Sequence, residues 1–253
     1  MTANGPNKNI WRLIKSGPLD GPLNMAIDEA ILEQRKLNTV PSTLRFYSWQ
    51  RKYCSFGYSQ DPEPETLSFC RQNRIGLVRR PTGGGLVLHD QEVTFSLVFS
   101  REELRTQRSL VEYYRVTTEC FRQALLTFGL SVQMEENIFS ARGKSSFCFS
   151  QPTKYDLLIH GRKICGSAQR RYRNIILQQG SLILALQPQP RFWDKAAGLQ
   201  DFLPRPLALP EFYRAVADSF HDGLGIEFQE GQLNGNEEKM AARLAQTKYA
   251  NIN

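Results

Sequence analysis

The chain has 253 residues, 41% hydrophobic, 11% aromatic and 23% charged, which allows a sizeable core and argues against disorder. Its glycines and prolines show no collagen-like period, and its apolar runs, the longest near 181–186, fall short of the ~20 residues that cross a bilayer. The net charge is +7, and between Arg142 and Arg173 eight basic residues stand against Asp156 alone, matching the whole excess. A basic surface so concentrated predicts an acidic partner: a carrier protein, a phosphate-bearing substrate or nucleic acid.

Met1 to Ile10 is polar and lacks the apolar core of a signal peptide. Residues 1–10 are therefore read as a tail, 11–249 as one domain, and a cytoplasmic location with reduced thiols is expected. Asp20-Gly21-Pro22 signals a helix start, and Leu23, Ala26, Ile27, Ala30 and Ile31 follow helical spacing, with Asn24, Asp28 and Glu29 expected on the outer side. Residues 43–49 suggest a strand, and Asp61-Pro62-Glu63-Pro64 a loop. Residues 76–80 and 86–100 read as strands around a glycine-rich turn. Ser109 and Glu112 have capping-box spacing and open a long helix that Gly129 stops.

Residues 135–151 have no period and read as a loop. Residues 154–160 and 162–168 look like a hairpin over His160-Gly161, and 174–186 like a further strand. Pro210 opens a helix to Leu224 with Phe212, Val216 and Phe220 on one side, and 237–249 forms the last helix. Runs of strands with helices at both ends and one in the middle point to α/β or α+β with a mixed sheet.

Two clusters could carry chemistry. The first is Arg79-Arg80-Pro81-Thr82-Gly83-Gly84-Gly85-Leu86-Val87-Leu88-His89-Asp90. Three glycines between strands let backbone N–H groups approach an anion or carbonyl, and Arg80 could add a charged contact. The spacing fits neither the P-loop nor the dinucleotide fingerprint.

The second cluster runs from Cys148-Phe149-Ser150-Gln151-Pro152-Thr153-Lys154-Tyr155-Asp156 into Gly161-Arg162-Lys163-Ile164-Cys165-Gly166-Ser167-Ala168-Gln169. A thiol near cations ionises more readily, so Cys148 with Lys163 is a candidate nucleophile. Strand alternation would put Cys165 on the face of Lys163 as a rival, although packing suits it better. No histidine is placed beside Cys148. The five cysteines contain no C-x-x-C pair, so neither zinc nor a disulfide scaffold is indicated.

These motifs resemble a known superfamily. Arg79 to Asp90 is similar to the R-R-x-[ST]-G-G-G-x-V-x-H-D signature of the lipoate-protein ligase superfamily, to which biotin ligases are also related. Gly161 to Gln169, followed by Ile176-Leu177-Gln178-Gln179-Gly180-Ser181, is similar to the blocks G-R-K-[IV]-x-G-S-A-Q and L-Q-H-G-[ST], with Gln179 where histidine is common. Leu44-Arg45-Phe46-Tyr47-Ser48-Trp49 with Gly57-Tyr58-Ser59-Gln60 matches the upstream L-R-F-Y-x-W and G-x-x-Q, and Asn24 to Asp28 the first helix. Cys148-Phe149-x-x-Pro152-Thr153-x-Tyr155 resembles the C-F-x-x-P-[ST]-x-Y element of LipM-type octanoyltransferases, although Leu86 follows a third glycine where that branch often has Gly-Gly-Arg.

The resemblance implies the biotin/lipoate-protein ligase catalytic fold, a mixed and mostly antiparallel sheet flanked by helices. It implies transfer of octanoyl from octanoyl-acyl carrier protein to a lysine of a lipoyl acceptor domain, in the glycine cleavage H protein or a 2-oxoacid dehydrogenase E2. Cys148 would carry the acyl group as a thioester, and Lys163 would lower its pKa. Arg80, Gly83, Gly84, Gly85, His89, Gly57, Gln60, Gly166, Ser167 and Ala168 would bind substrate, with apolar residues flanking Gly57 and the glycine turn lining an acyl slot. This route requires no cofactor, metal, nucleic acid or membrane. The alternative is an ATP-dependent lipoate ligase working through an adenylate, with Lys163 on its phosphate. A nucleic-acid module using Phe147, Phe149, Tyr155 and Tyr172 as stacking platforms leaves the ordered motifs unexplained.

Overall fold

The computed structural model describes residues 9–104, 110–137, 149, 152–187 and 195–250. Cys148, Arg142, Lys144, Phe147 and the capping residue Ser109 lie outside the described residues, as does most of 135–151. In chain order the elements are β1 (Ile10–Leu19), α1 (Gly21–Lys36), β2 (Thr43–Trp49), β3 (Tyr53–Phe56), α2 (Pro64–Gln72), β4 (Gly76–Arg79), β5 (Val87–His89) and β6 (Glu92–Ser100). Then follow α3 (Leu110–Leu126), β7 (Gln133–Met134), β8 (Leu157–Ile159), β9 (Arg162–Tyr172), β10 (Ile175–Ile183), α4 (Leu209–Leu224), β11 (Glu227–Glu230) and α5 (Gly235–Leu244), with a π-helical turn at Ala245–Tyr249.

Eight strands form the main sheet in the order β11-β1-β2-β6-β10-β9-β8-β7. Only β1 pairs in parallel, with β11 and β2; the other neighbours are antiparallel. This is the mixed, mostly antiparallel sheet expected. One face carries Trp11, Phe46, Phe95, Phe99 and Ile176 under α3 and α4, where Phe121, Phe212, Val216 and Phe220 close the core. The other face carries Ile14, Val98 and Leu177 under Ala26, Ile27, Ala30 and Ile31 of α1 and Ala241 of α5. Covered on both sides, β6 and β10 are buried at every residue.

A small sheet, β4-β3-β5, packs with α2 around Cys54, Phe56, Cys70, Ile75 and Leu88. The strands on either side of the glycine turn form as expected but are not neighbours. β4 and β5 do not pair; β3 lies between them, parallel to β4 and antiparallel to β5. The run 86–100 is also split, because after Asp90-Gln91 the chain leaves the small sheet and enters the large one as β6. Pro64, expected in a loop, opens α2 from its first turn, where proline loses no hydrogen bond. The hairpin over His160-Gly161 forms as expected: both residues have positive φ, 49° and 73°, which matches the twist of the flanking strands.

The second correction concerns α1. Asn24, Asp28 and Glu29, expected on its outer side, are buried. Glu29 accepts hydrogen bonds from Tyr249 Oη at 2.6 Å and Lys248 Nζ at 2.6 Å, tying α1 to the π turn. Asp28 accepts from Arg45 Nη1 (2.7 Å), Ser96 Oγ (2.7 Å), Tyr47 Oη (2.9 Å) and Gln179 Nε2 (2.7 Å). Helical spacing reports apolar positions, and these polar side chains are buried only because β2, β6 and β10 bring donors to them.

Candidate active site

The two motif clusters meet at one cleft between the α1 face of the large sheet and the small sheet. Met25, Tyr47, Trp49, Val87 and Phe149 make its apolar wall. Arg80, His89, Gly166, Ser167 and Ala168, all expected at the site, border it.

Arg80 reaches the cleft, but its guanidinium works on the loop. Nε donates to Gly83 O (3.1 Å), Nη1 to Ser55 O (2.9 Å) and Oγ (3.0 Å), and Nη2 to Gly83 O (2.6 Å) and Gly85 O (2.7 Å). Its five donors are thus engaged within the protein, bracing the glycine turn. Gly84 sits at φ +88°, a conformation that favours glycine, and an added Cβ there would lie 3.7 Å from the Cβ of Ala168. The glycine turn of the first cluster therefore rests on the strand of the second.

Gly57 and Gln60 lie behind this loop. A Cβ on Gly57 would collide with Gly84 O, Gln60 Oε1 accepts from the N–H of Gly57 (3.3 Å), and Arg79 Nη1 donates to Gln60 O (2.5 Å). These residues support the turn; neither is among the residues that line the cleft. Gly83 faces a neighbouring groove of about 850 Å³ that also takes in Tyr58, Tyr114, Arg170 and Arg171. There Arg170 stacks on Tyr58 with its guanidinium carbon 3.9 Å from the ring centroid, and Nη1 donates to Pro81 O at 3.1 Å.

His89 is buried, stacked on Trp49 with ring centroids 4.0 Å apart. Its Nδ1 lies 2.7 Å from Glu92 Oε1 and its Nε2 2.7 Å from Ser55 Oγ. Burial pushes the Glu92 carboxyl up. The charge and hydrogen bond of His89, with the Thr94 and Ser181 hydroxyls, outweigh that and hold it below the usual range. Gln179 joins the clusters: Thr82 Oγ1 donates to its Oε1 at 2.9 Å, while its Nε2 donates to Asp28. The Ser167 hydroxyl, by contrast, is turned to α3, accepting from Gln178 Nε2 (2.9 Å) and donating to Tyr114 Oη (2.9 Å).

Lys163 is buried, so it adds nothing to a basic surface. Its Nζ pairs with Asp156 Oδ2 at 2.7 Å and sits 4.6 Å from the centroid of the Phe149 ring. A Cβ on Gly166 would lie 2.7 Å from that Nζ and 3.1 Å from Asp156 Oδ1. Gly166 is glycine for space: the ammonium head occupies the volume a side chain would take. Lys163 therefore shares a face with Gly166, not with Cys165 as alternation suggested. A β-bulge opposite Leu157 and Leu158 puts one extra β9 residue between Lys163 and Cys165, resetting the alternation.

Cys165 consequently packs in the core under α3 and α4, where burial and then Asp156 push its thiol up. Burial pushes Cys120 up to about 12, and Cys54 is raised by its hydrogen bond with Cys70 as well as by burial. None of the four described cysteines forms a disulfide, and all four are buried. Phe149, the chain neighbour of Cys148, is buried against Val87, Ile183 and Ala196, so it offers no stacking platform to a nucleic acid.

Asp156, the last residue of the Cys148 run, is buried as the partner of Lys163. Burial pushes its carboxyl up, against the lowering effects of Lys163 and Thr153. Met25, Trp49 and Phe149 lie within the motifs but carry no site role in the sequence, since apolar side chains in helices and strands read first as core; Ser55 is a further cleft residue that no motif marks. Among the described residues no group of three His, Cys, Asp or Glu side chains is placed to hold a metal ion, and no helix is long and apolar enough to cross a membrane.

Comparison with known proteins accords with this architecture. A putative lipoate protein ligase from T. acidophilum shares the fold, with a TM-score of 0.78 at 24% identity over 95% of this chain and 96% of that one. A lipoate-protein ligase A solved with ATP superposes with a TM-score of 0.78 at 26% identity, covering 95% and 96% of the two chains. Residues 20–221 match the lipoyl protein ligase A/B catalytic domain, and the chain belongs to that family. Within it the chain is similar to the octanoyltransferase LipM of Bacillus subtilis (34% identity, 96% of each chain) and that of Symbiobacterium thermophilum (36%, covering 94% and 95%).

Proposed function

We propose that the protein is an octanoyltransferase of lipoate biosynthesis. It takes octanoyl from octanoyl-acyl carrier protein onto Cys148 and passes it to a lysine of a lipoyl acceptor domain, in the glycine cleavage H protein or a 2-oxoacid dehydrogenase E2. The observation that carries this reading is the place of Phe149. It is joined to Cys148 in the chain, forms part of the cleft wall, and lies against the Lys163 ammonium. The relatives named octanoyltransferase LipM support the same substrate.

In the first half-reaction the Cys148 thiolate attacks the thioester carbonyl and the carrier's pantetheine thiolate leaves. Lys163, with nearby backbone N–H groups, stabilises the oxyanion. The tail lies along Met25, Tyr47, Trp49 and Phe149, and the Arg170–Arg171 edge of the neighbouring groove meets the acidic carrier. In the second half-reaction the acceptor amine attacks the acyl-enzyme, forming the amide. ATP takes no part, and the setting is a cytoplasm that keeps thiols reduced.

The test is incubation with octanoyl-acyl carrier protein without ATP. Intact mass gains one octanoyl group, labile to hydroxylamine, and Cys148→Ser abolishes both the adduct and transfer. A Cys148→Ala protein that still modifies the acceptor, and only with ATP, would establish the adenylate route instead.

A further inference from the structure

Amide formation from the thioester requires that the acceptor lysine, an ammonium with an ordinary pKa near ~10.4, first give up a proton. Two buried aspartates near the cleft differ in how they could take part. Asp28 accepts from four donors spread over both oxygens, which makes it a structural hub. Asp156 is also buried, but its donors crowd on one atom. Lys163 Nζ (2.7 Å), Thr153 N (2.5 Å) and Thr153 Oγ1 (3.0 Å) all point to Oδ2. Oδ1 has no hydrogen-bond partner among the described residues.

That bare oxygen and the Lys163 ammonium both border the position where Gly166 lacks a side chain, and Gly166 itself lines the cleft. A buried carboxylate with an unused oxygen and a cation in contact is placed to hold a transferred proton, because protonation of Oδ1 costs none of the bonds at Oδ2. The pairing also bears on Lys163. With a carboxylate in contact, the ammonium can pass a proton along the pair as well as donate to an oxyanion.

We propose that Asp156 is the positioning residue that, through Lys163, accepts the proton of the acceptor lysine in the amide-forming half-reaction. This rests on the thioester route described above. Lys163 Nζ passes one proton to Asp156 and takes one from the attacking ammonium. The new C–N bond forms as the C–S bond breaks, and the leaving Cys148 thiolate takes the second nitrogen proton. Ammonium, thioester and carboxylate thus become amide, thiol and carboxylic acid, and Asp156 then releases its proton to solvent.

Asp156→Asn keeps the shape and an acceptor for Lys163 but removes the basic oxygen. The full-length protein is charged with octanoyl from its carrier, and discharge is followed in single turnover to two nucleophiles. Hydroxylamine is uncharged at neutral pH and needs no base, whereas the lysine of a lipoyl domain does. In the variant, discharge to hydroxylamine stays within about twofold of the unsubstituted enzyme, while transfer to lysine falls about 100-fold and recovers as the pH is raised.

Unimpaired lysine transfer at neutral pH overturns the proposal, and so does an equal loss with both nucleophiles, which marks a structural role. If the variant does not fold, the unsubstituted enzyme decides. In deuterium oxide, transfer to lysine slows and discharge to hydroxylamine does not, and equal effects overturn it. If the unsubstituted chain forms no adduct at all, the thioester route fails and this proposal with it, a result distinct from an adduct that the Asn variant passes on normally.

Discussion

Around the cleft, single atoms decide what a residue does. Gly166 needs no unusual backbone; it is glycine because Lys163 Nζ would lie 2.7 Å from its Cβ. Gly166→Ala is expected to displace the ammonium and lower octanoyl transfer about 100-fold, with a smaller change in melting temperature. A steady-state assay alongside thermal unfolding checks this, and full activity would mean that Lys163 need not sit there. Asp28 differs because its role is stability. Asp28→Ala strands the buried Arg45 guanidinium and is expected to cost about 3–5 kcal/mol, read from urea unfolding.

Elements are joined by pairs that are distant in sequence. α5 is capped by Asn234, whose side chain accepts from the N–H of Glu237 (3.0 Å), while Glu237 Oε2 accepts from the N–H of Asn234 (2.7 Å). The same Glu237 accepts from Arg12 Nη2 at 2.5 Å, tying the helix to β1. The cap and the tie separate by mutation. Asn234→Ala is expected to cost about 1 kcal/mol, and Glu237→Ala about 3–5 kcal/mol because a buried arginine loses its partner. Denaturant midpoints distinguish them; equal losses would show that Arg12 finds another acceptor.

The hairpin at His160-Gly161, the stop at Gly129 and the amphipathic face of α4 were all legible in sequence, because each depends on residues within a few positions of one another. The exchange of β5 for β3 beside β4 was not, since strand pairing depends on partners elsewhere in the chain. The bulge at Ile164 escaped for the same reason: β8 imposes it across the hairpin.

Charge and acidity act across the whole molecule. The net charge of +7 and the Arg170–Arg171 edge of the second groove lead us to expect carrier-dependent transfer to slow as salt rises, through kcat/KM more than kcat. A salt-insensitive kcat/KM would remove electrostatic steering. In acid, Glu92 is expected to contribute to the fall in stability. Its carboxyl is held below the ordinary range when folded, so its stabilising contribution is present above the unfolded pKa of about 4.3 and is lost as pH falls through the folded value. Glu92→Gln is expected to flatten that acid limb of unfolding free energy against pH, and an unchanged limb would assign it to other carboxylates.

Taken alone, the sequence determined every helix but α2, most strands, the mixed sheet, the order of the motifs and the family they resemble, because periodicity, capping and short motifs are local. It also marked the glycine turn and Gly166-Ser167-Ala168 as parts of one site. Only the tertiary structure decided that Arg80 braces the loop, that Lys163 is paired with Asp156 behind Gly166, and that Asn24, Asp28 and Glu29 are interior. A side chain's role follows from which donors and acceptors surround it, and those arrive from strands and helices far away in the chain.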